Sequence, residues 1–215
     1  MRETIIQKIL DEKVIAIVRG VYDEECVSLA QALADGGVTM LEVTFDQKSA
    51  EERRRTCDTI RRLVKELGDR MAFGAGTVTT VEMVEMTREA GGQFVVSPDT
   101  NEEVIRATVA AGMVSIPGAL TPTEIAQAHR YGADFVKLFP ASNMGAGYLK
   151  AICAPPSHVR ILAVGGVDAG NVKDFMAAGA VGASVASCLF KKEWIRDGEW
   201  EKITDAAKSF VSILM

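Results

Sequence analysis

The chain of 215 residues has few histidines and cysteines and no excess of basic residues. Its two histidines, His129 and His158, are too few for a histidine-rich metal centre. Its four cysteines are far apart and show no CxxC or zinc spacing, which indicates reduced thiols. No run of Lys or Arg lacks compensating acids, and the formal net charge is −5, so we expect no nucleic-acid partner.

Long apolar segments are also missing. No uninterrupted apolar run approaches the roughly 18 residues that a membrane helix needs, and Met1 is followed by charged residues instead of a signal-like segment. We therefore expect a cytoplasmic protein without a membrane partner. No linker or low-complexity stretch divides the chain, which predicts a single domain over residues 1–215.

What the chain does contain is a regular alternation of strand-like and helical patterns. Apolar residues at helical spacing predict an opening helix over Arg2–Glu12. Eight strand–helix units follow, and several of their helices end in glycine, the residue that best closes a helix. The strands are predicted at 14–18, 40–45, 72–78, 94–97, 115–117, 135–140, 161–164 and 182–186.

This alternation predicts an α/β fold, an eightfold (β/α) TIM barrel with an extra N-terminal helix. An open doubly wound sheet is the alternative fold, but no GxGxxG follows the first strand. In such barrels the reactive groups lie at the C-terminal ends of the strands and in the loops that follow them.

Lys137 is an unusual residue in a predicted strand, because its neighbours from Phe135 to Pro140 are apolar. One interpretation is a lysine near the strand end whose stem packs on the phenylalanines while its nitrogen reaches water. The other is a lysine with a pKa lowered by desolvation, whose neutral amine attacks a carbonyl to form a Schiff base.

Glu42 is the only charged residue of the second predicted strand, as Lys137 is of the sixth. Strands two and six can contribute to one layer of a barrel interior from opposite sides. A buried charge without a partner is costly, so we expect the opposite charges of Glu42 and Lys137 to lie close together. One interpretation is a structural ion pair. The other is a Schiff-base lysine with a carboxylate that shuttles protons.

Two further features suggest an anion site. The seventh strand ends in Gly165-Gly166, and turns after strands seven and eight are the usual phosphate position in these barrels, although a Gly-Gly pair can mark only a turn. Arg19, at the end of the first strand, is a candidate for binding a carboxylate or phosphate; the alternative is a surface arginine.

Six motifs in order resemble the 2-keto-3-deoxy-6-phosphogluconate (KDPG) aldolase family, which includes 4-hydroxy-2-oxoglutarate and phosphogalactonate aldolases. They are Leu41-Glu42-Val43-Thr44, Gly74-Ala75-Gly76-Thr77-Val78, Val96-Ser97-Pro98, Ile116-Pro117-Gly118, Val136-Lys137-Leu138-Phe139-Pro140-Ala141 and Gly165-Gly166-Val167. The resemblance covers about residues 5 to 210. It implies a homotrimeric class I aldolase, free of metal and cofactor, that cleaves a 2-keto-4-hydroxy acid to pyruvate and an aldehyde.

The same resemblance implies roles for individual residues. Lys137 would be the Schiff-base lysine and Glu42 the general acid/base, with Phe139 flanking the imine. The remaining implied substrate contacts are Arg19, Thr44, Thr77 and Pro98 on the keto-acid side and Gly165, Gly166 and Ser187 where the family holds phosphate.

The sequence also departs from the family pattern. Asp46 stands where many members carry a clamp arginine, and Arg19 is the candidate to replace its charge. Val164 stands where many have threonine before Gly-Gly, and valine cannot hydrogen-bond a substrate hydroxyl. The strand-eight Gly-Gly-Ser reads Val185-Ala186-Ser187, and Ser142 replaces the usual acidic residue after Pro-Ala.

The substrate that the resemblance implies is KDPG or its galactonate epimer, giving pyruvate and an aldehyde such as glyceraldehyde 3-phosphate. The alternatives are a 4-hydroxy-2-oxoglutarate aldolase giving glyoxylate, and a barrel that binds a keto acid without catalysis. A phosphate-binding barrel of another class, such as an epimerase or thiamine phosphate synthase, would share the Gly-Gly turn. Epimerases of that type use a metal with His and Asp ligands, which two scattered histidines do not supply.

Overall fold

A computed structural model describes residues 2–154 and 158–215, and its strands form one parallel sheet. The sheet order is β5-β4-β3-β2-β1-β9-β8-β7-β6. In the described ranges the strands are β1 (Val14–Val18), β2 (Met40–Thr44), β3 (Ala72–Gly76), β4 (Phe94–Val96), β5 (Val114–Ile116), β6 (Gly118–Ala119), β7 (Val136–Leu138), β8 (Ile161–Val164) and β9 (Gly182–Val185).

The two edges of this sheet, β5 and β6, lie on either side of Pro117. The fifth strand is predicted at 115–117, so β5 matches it and β6 lies beyond its predicted end. Proline has no N–H to donate, so the strand pairing is interrupted at that residue. The Pro117 carbonyl still accepts a 2.8 Å hydrogen bond from the Lys137 N–H, and Ala119 O accepts one of 3.2 Å from Phe139. Those two bonds join the β6 edge to β7.

The Ser115 carbonyl of β5 accepts hydrogen bonds of 3.1 and 3.2 Å from the N–H groups of Asp134 and Phe135, just before β7. The β5 edge is thereby joined to the other end of the sheet, which confirms the predicted eightfold barrel.

The helices lie outside the barrel, apart from α1, which packs against its N-terminal end. Helix α1 has the predicted limits, α7 begins five residues before the predicted start at Ala146, and α9 was not predicted. The helices are α1 (Arg2–Glu12), α2 (Asp23–Asp35), α3 (Ala50–Leu67), α4 (Val81–Glu89), α5 (Glu102–Ala110), α6 (Pro122–Tyr131), α7 (Ala141–Cys153), α8 (Val172–Ala177), α9 (Lys192–Arg196) and α10 (Trp200–Leu214).

Helix α6 shows why the sequence marks its ends so clearly. Thr121 and Glu124 form a capping box at its start, which satisfies backbone N–H groups that a helix leaves unpaired. Gly132 ends it with φ 103°, a left-handed conformation that glycine adopts without steric penalty.

Apolar residues form two packed layers. Phe135, Phe94 and Met40 fill the interior of the barrel together with Ile5 and Ile9 of α1. The layer between strands and helices is larger and includes Val136 and Leu138 from the opposite face of β7. Side chains on β7 and its neighbours therefore alternate inward and outward, which places Lys137 on the inward face. In the described ranges, no helix has the length and apolarity to cross a membrane.

Candidate active site

A cavity of about 340 Å³ opens at the C-terminal ends of the strands. Its walls include nine of the ten predicted site residues: Arg19, Glu42, Thr77, Pro98, Lys137, Phe139, Gly165, Gly166 and Ser187. A larger groove of about 820 Å³ lies on the outer surface between α2, α3 and α10, and none of the predicted site residues lines it. The barrel cavity is the better candidate because it brings opposite charges together in a partly buried space.

Glu42 lies on β2, with its neighbours Leu41 and Val43 packed in the outer layer, so its side chain points inward. It is 2 % exposed, and no described residue forms a hydrogen bond with its Oε2 atom. Burial raises the pKa of this carboxyl, and the positive charges of Lys137 and Arg19 oppose the rise only in part. A buried acid with an unpartnered oxygen and a raised pKa is suited to exchanging protons with a bound molecule.

Gly76 makes the space in which the Glu42 carboxylate lies. A Cβ atom at position 76 would be 1.7 Å from Oε1 of Glu42. Gly74, the previous inward position on β3, similarly leaves room for the ring of Phe94, 2.4 Å from where its Cβ would be. The Gly-Ala-Gly of β3 therefore admits one aromatic ring and one carboxylate into the barrel.

Lys137 lies on β7 and lines the same cavity as Glu42. Its Nζ lies 4.9 Å from the centroid of the Phe139 ring, and its side chain is partly exposed through the cavity mouth. Among the described residues, no salt bridge within 4.0 Å joins Lys137 to Glu42. The geometry therefore does not support a closed structural ion pair, and both groups face the shared cavity.

Arg19 follows the end of β1 and lines this cavity. Its Nη2 donates a 3.1 Å hydrogen bond to the Thr77 hydroxyl, and both side chains line the cavity. Thr77 has φ 58°, a left-handed conformation that is uncommon for a β-branched residue. Asp46 instead accepts a hydrogen bond from the Lys48 N–H and lies 3.4 Å from Lys48 Nζ. Arg19 is thus a residue of the cavity.

The Gly165-Gly166 turn lies at the end of the cavity that also includes Ser187. Both glycines have positive φ, 94° and 71°. A Cβ at Gly165 would lie 2.9 Å from the Phe139 ring, and one at Gly166 would lie 2.0 Å from Ser142 Oγ. Within the described ranges no group accepts a hydrogen bond from the backbone N–H of Gly166 or Ser187. The turn therefore offers backbone donors for an anion and also accommodates close side-chain packing.

Thr44 is the predicted site residue that does not line the cavity. It is 2 % exposed, and its hydroxyl has no hydrogen-bond partner in the described part of the chain. Conversely, Ile17 and Ser184 line the cavity and were not predicted. The alternation of side chains along a strand could have predicted both. Ile17 lies two residues before Arg19 and therefore points to the same face. Ser184 pairs in register with Val164, which lines the cavity.

A family model described as KDPG and KHG aldolase matches residues 5–206 of the chain. The chain is 36 % identical over 178 residues to the 2-dehydro-3-deoxy-6-phosphogalactonate aldolase of Escherichia coli (strain K12), covering 82 % of this chain and 84 % of that protein.

Solved structures show the same similarity. One titled as native KDPGal superposes with a TM-score of 0.83 at 33 % identity, covering 94 % of this chain and 93 % of that one. A KDPG aldolase from Legionella pneumophila, with pyruvate captured as a covalent carbinolamine, superposes with a TM-score of 0.83 at 25 % identity. That comparison covers 94 % of this chain and 96 % of that one.

Proposed function

The chain belongs to the KDPG and KHG aldolase family, and we propose that Lys137 and Glu42 carry out its reaction. Members of this kind are class I pyruvate aldolases, and this protein is a carbon–carbon lyase that releases pyruvate and an aldehyde. The observation that carries the residue assignment is that one cavity holds Lys137 and the buried carboxyl of Glu42. The pKa of this carboxyl is raised, and its Oε2 has no hydrogen-bond partner among the described residues.

The reaction begins with attack of the Lys137 amine on the C2 ketone. The resulting carbinolamine loses water to give an iminium, which withdraws electrons from the C3–C4 bond. Glu42, as the carboxylate, accepts the proton of the C4 hydroxyl while that bond breaks, and the aldehyde departs. The bonding electron pair forms an enamine, which takes a proton at C3. Hydrolysis of the new iminium then releases pyruvate and restores the lysine.

The Arg19–Thr77 pair is proposed to bind the C1 carboxylate of the substrate. Among the described residues that line the cavity, the cations are Arg19 and Lys137. The 3.1 Å bond of Arg19 to Thr77 fixes one of its donors, and its other N–H groups stay available. A guanidinium presents several N–H donors in one plane, which suits a carboxylate. The Arg19 guanidinium would thereby supply the positive charge that many family members carry as an arginine at the position of Asp46.

We propose the galactonate epimer, 2-keto-3-deoxy-6-phosphogalactonate, as the preferred substrate. Val164 lines the cavity and has no hydroxyl to recognise a C4 hydroxyl. The 36 % identical relative from Escherichia coli is named for that epimer. The backbone N–H groups of Gly166 and Ser187, which donate to no group of the described chain, are candidates to bind its phosphate.

An unphosphorylated substrate, 4-hydroxy-2-oxoglutarate, is the second candidate. Asp168 lines the cavity beside the Gly-Gly turn, and its negative charge disfavours a phosphate dianion there. Ala186 adds bulk at the same end. Turnover of the two phosphorylated epimers and the unphosphorylated acid, measured side by side, decides between the candidates: the galactonate epimer should show the highest kcat/KM.

Trapping with pyruvate and borohydride tests the residue assignment. Reduction should fix pyruvate on Lys137, detected by peptide mass, and Lys137→Met should abolish both labelling and aldehyde release. Lys150→Met, an exposed lysine of α7, serves as the matched control and should remain active and labelled. Label on another lysine, or an active Lys137→Met variant, would contradict the assignment.

The homotrimer and the single domain remain predictions. Light scattering should give three times the mass of one chain, and thermal unfolding of the dilute protein should proceed in one transition. A monomer would contradict the first expectation, and two separated transitions would contradict the second.

A further inference from the structure

Gln47 is an exposed residue between β2 and α3, and it does not line the cavity. Its side-chain nitrogen donates a 2.7 Å hydrogen bond to the backbone carbonyl of Thr77. The same nitrogen lies 3.8 Å from Sδ of Met83, at the start of α4. The Gln47 amide therefore bridges the loops that follow β2 and β3.

Thr77 needs support of this kind. Its φ of 58° is rarely populated by a β-branched residue, and such conformations persist where surrounding contacts hold them. Beyond Thr77, the Val78 N–H bonds Val96 O at 3.2 Å and attaches the turn to β4. The Gln47 bond acts on the carbonyl of Thr77 itself, and the Arg19 bond acts on its hydroxyl.

We propose that Gln47 is a positioning residue that holds the Thr77 turn, and through it Arg19, in the orientation that binds the substrate carboxylate. This inference rests on the proposed role of Arg19 and Thr77. With the Gln47 donor removed, the Thr77 carbonyl rotates towards a common conformation. Its hydroxyl then leaves the position in which Arg19 Nη2 reaches it.

Gln47→Met tests the proposal, because methionine has a similar length and shape but no N–H donor. We expect KM to rise about fivefold to tenfold, because this factor corresponds to the loss of one modest hydrogen bond. We expect kcat to change by less than about twofold. The concentration of pyruvate that gives half-maximal borohydride trapping on Lys137 should rise by the same factor. Gln7→Met makes the same substitution at an exposed glutamine of α1 that bonds Asp11, and it should change neither quantity.

A double-mutant cycle shows whether Gln47 acts through Thr77. Glycine adopts positive φ without support, and it has no hydroxyl for Arg19. Thr77→Gly should therefore raise KM by itself, and adding Gln47→Met should raise it by less than about twofold more. If the KM of the double variant rises by the product of the two single-variant factors, the two residues act independently. That result would overturn the proposal.

A crystal structure of Gln47→Met separates this inference from the proposed function. Loss of the left-handed Thr77 conformation and of the Arg19–Thr77 bond would support the positioning role even if Lys137 were not labelled. An unchanged Thr77 turn, with the Arg19 bond intact, would overturn it even if Lys137 formed the Schiff base.

Discussion

Substitution of Gly76 by alanine offers a quantitative test of the Glu42 assignment. The new Cβ would lie 1.7 Å from Oε1 of Glu42, 2.5 Å from Cδ and 2.7 Å from Cγ. An ordinary contact begins near 3.4 Å. The carboxylate oxygen would therefore have to move by about 1.7 Å, the difference between those two distances, and the rest of the side chain would have to follow it.

Such a displacement should affect catalysis more than folding. Overpacking of a buried site costs about 1–3 kcal/mol in the free energy of unfolding. Misplacement of a catalytic group by about 1 Å can reduce a rate by about 100-fold, so kcat should fall by at least that factor. The aldehyde-release assay measures kcat, and thermal unfolding measures stability in parallel.

The matched control is Gly147→Ala. Position 147 is a helical glycine of α7 at which an added Cβ meets no described atom within 4 Å. Alanine there should keep kcat and raise the free energy of unfolding by about 0.5–1 kcal/mol. A folded Gly76→Ala protein whose kcat stays within about threefold of wild type would refute the reasoning, because the carboxylate would then not need its observed position.

Four further outcomes are expected. The acid limb of the kcat–pH profile should have an apparent pKa above the ordinary 4.5 of glutamate, because burial favours protonated Glu42, and Glu42→Gln should remove that limb. Because the pKa of Glu42 is higher in the folded than in the unfolded protein, the wild type loses stability as pH rises from the unfolded-state pKa through the folded-state pKa. The amount by which the Tm of Glu42→Gln exceeds that of the wild type should therefore grow over this pH range. A Tm difference that stays constant with pH would contradict this expectation. Arg2→Met should lower the free energy of unfolding, measured by denaturant titration, by about 1–3 kcal/mol. The reason is that the Asp134 carboxylate, which is 7 % exposed, loses its 2.7 Å contact with the Arg2 guanidinium. An unchanged free energy of unfolding would show that this ion pair contributes nothing to stability. Val164→Thr should raise the kcat/KM ratio of the gluconate over the galactonate epimer by up to about tenfold, one hydrogen bond's contribution, and an unchanged ratio would remove Val164 from epimer selection.

The sequence was sufficient for the barrel because its local signals agree with one another. Helix α6 has a capping box at one end and glycine at the other, and α1 has the predicted limits. The interruption at Pro117 and the short α9 were missed. Proline in a short apolar run resembles a strand end, and the five residues of α9 are too few to show a helical period.

The site could be predicted in part. Lys137 and Glu42 are detectable because an isolated charge in an apolar strand is unusual, and Arg19 because it follows a strand end. The Arg19–Thr77 bond joins residues 58 positions apart, and the Gln47 bond depends on the backbone conformation of Thr77. Contacts of that kind arise from tertiary packing, and no local pattern in the sequence specifies them.

The chemistry of Glu42 depends on what fills the barrel below it. In the N-terminal half, Phe135 and Phe94 pack with the isoleucines of α1 and fill the interior with apolar side chains. In the C-terminal half, Gly76 leaves room for the Glu42 carboxylate, and the small Ser184 side chain lines the cavity that forms there. Glu42 lies at this boundary, so its carboxyl is desolvated from below by apolar side chains while it lines the cavity above. The raised pKa of the acid is therefore a consequence of barrel packing, and the nearby cations only moderate it.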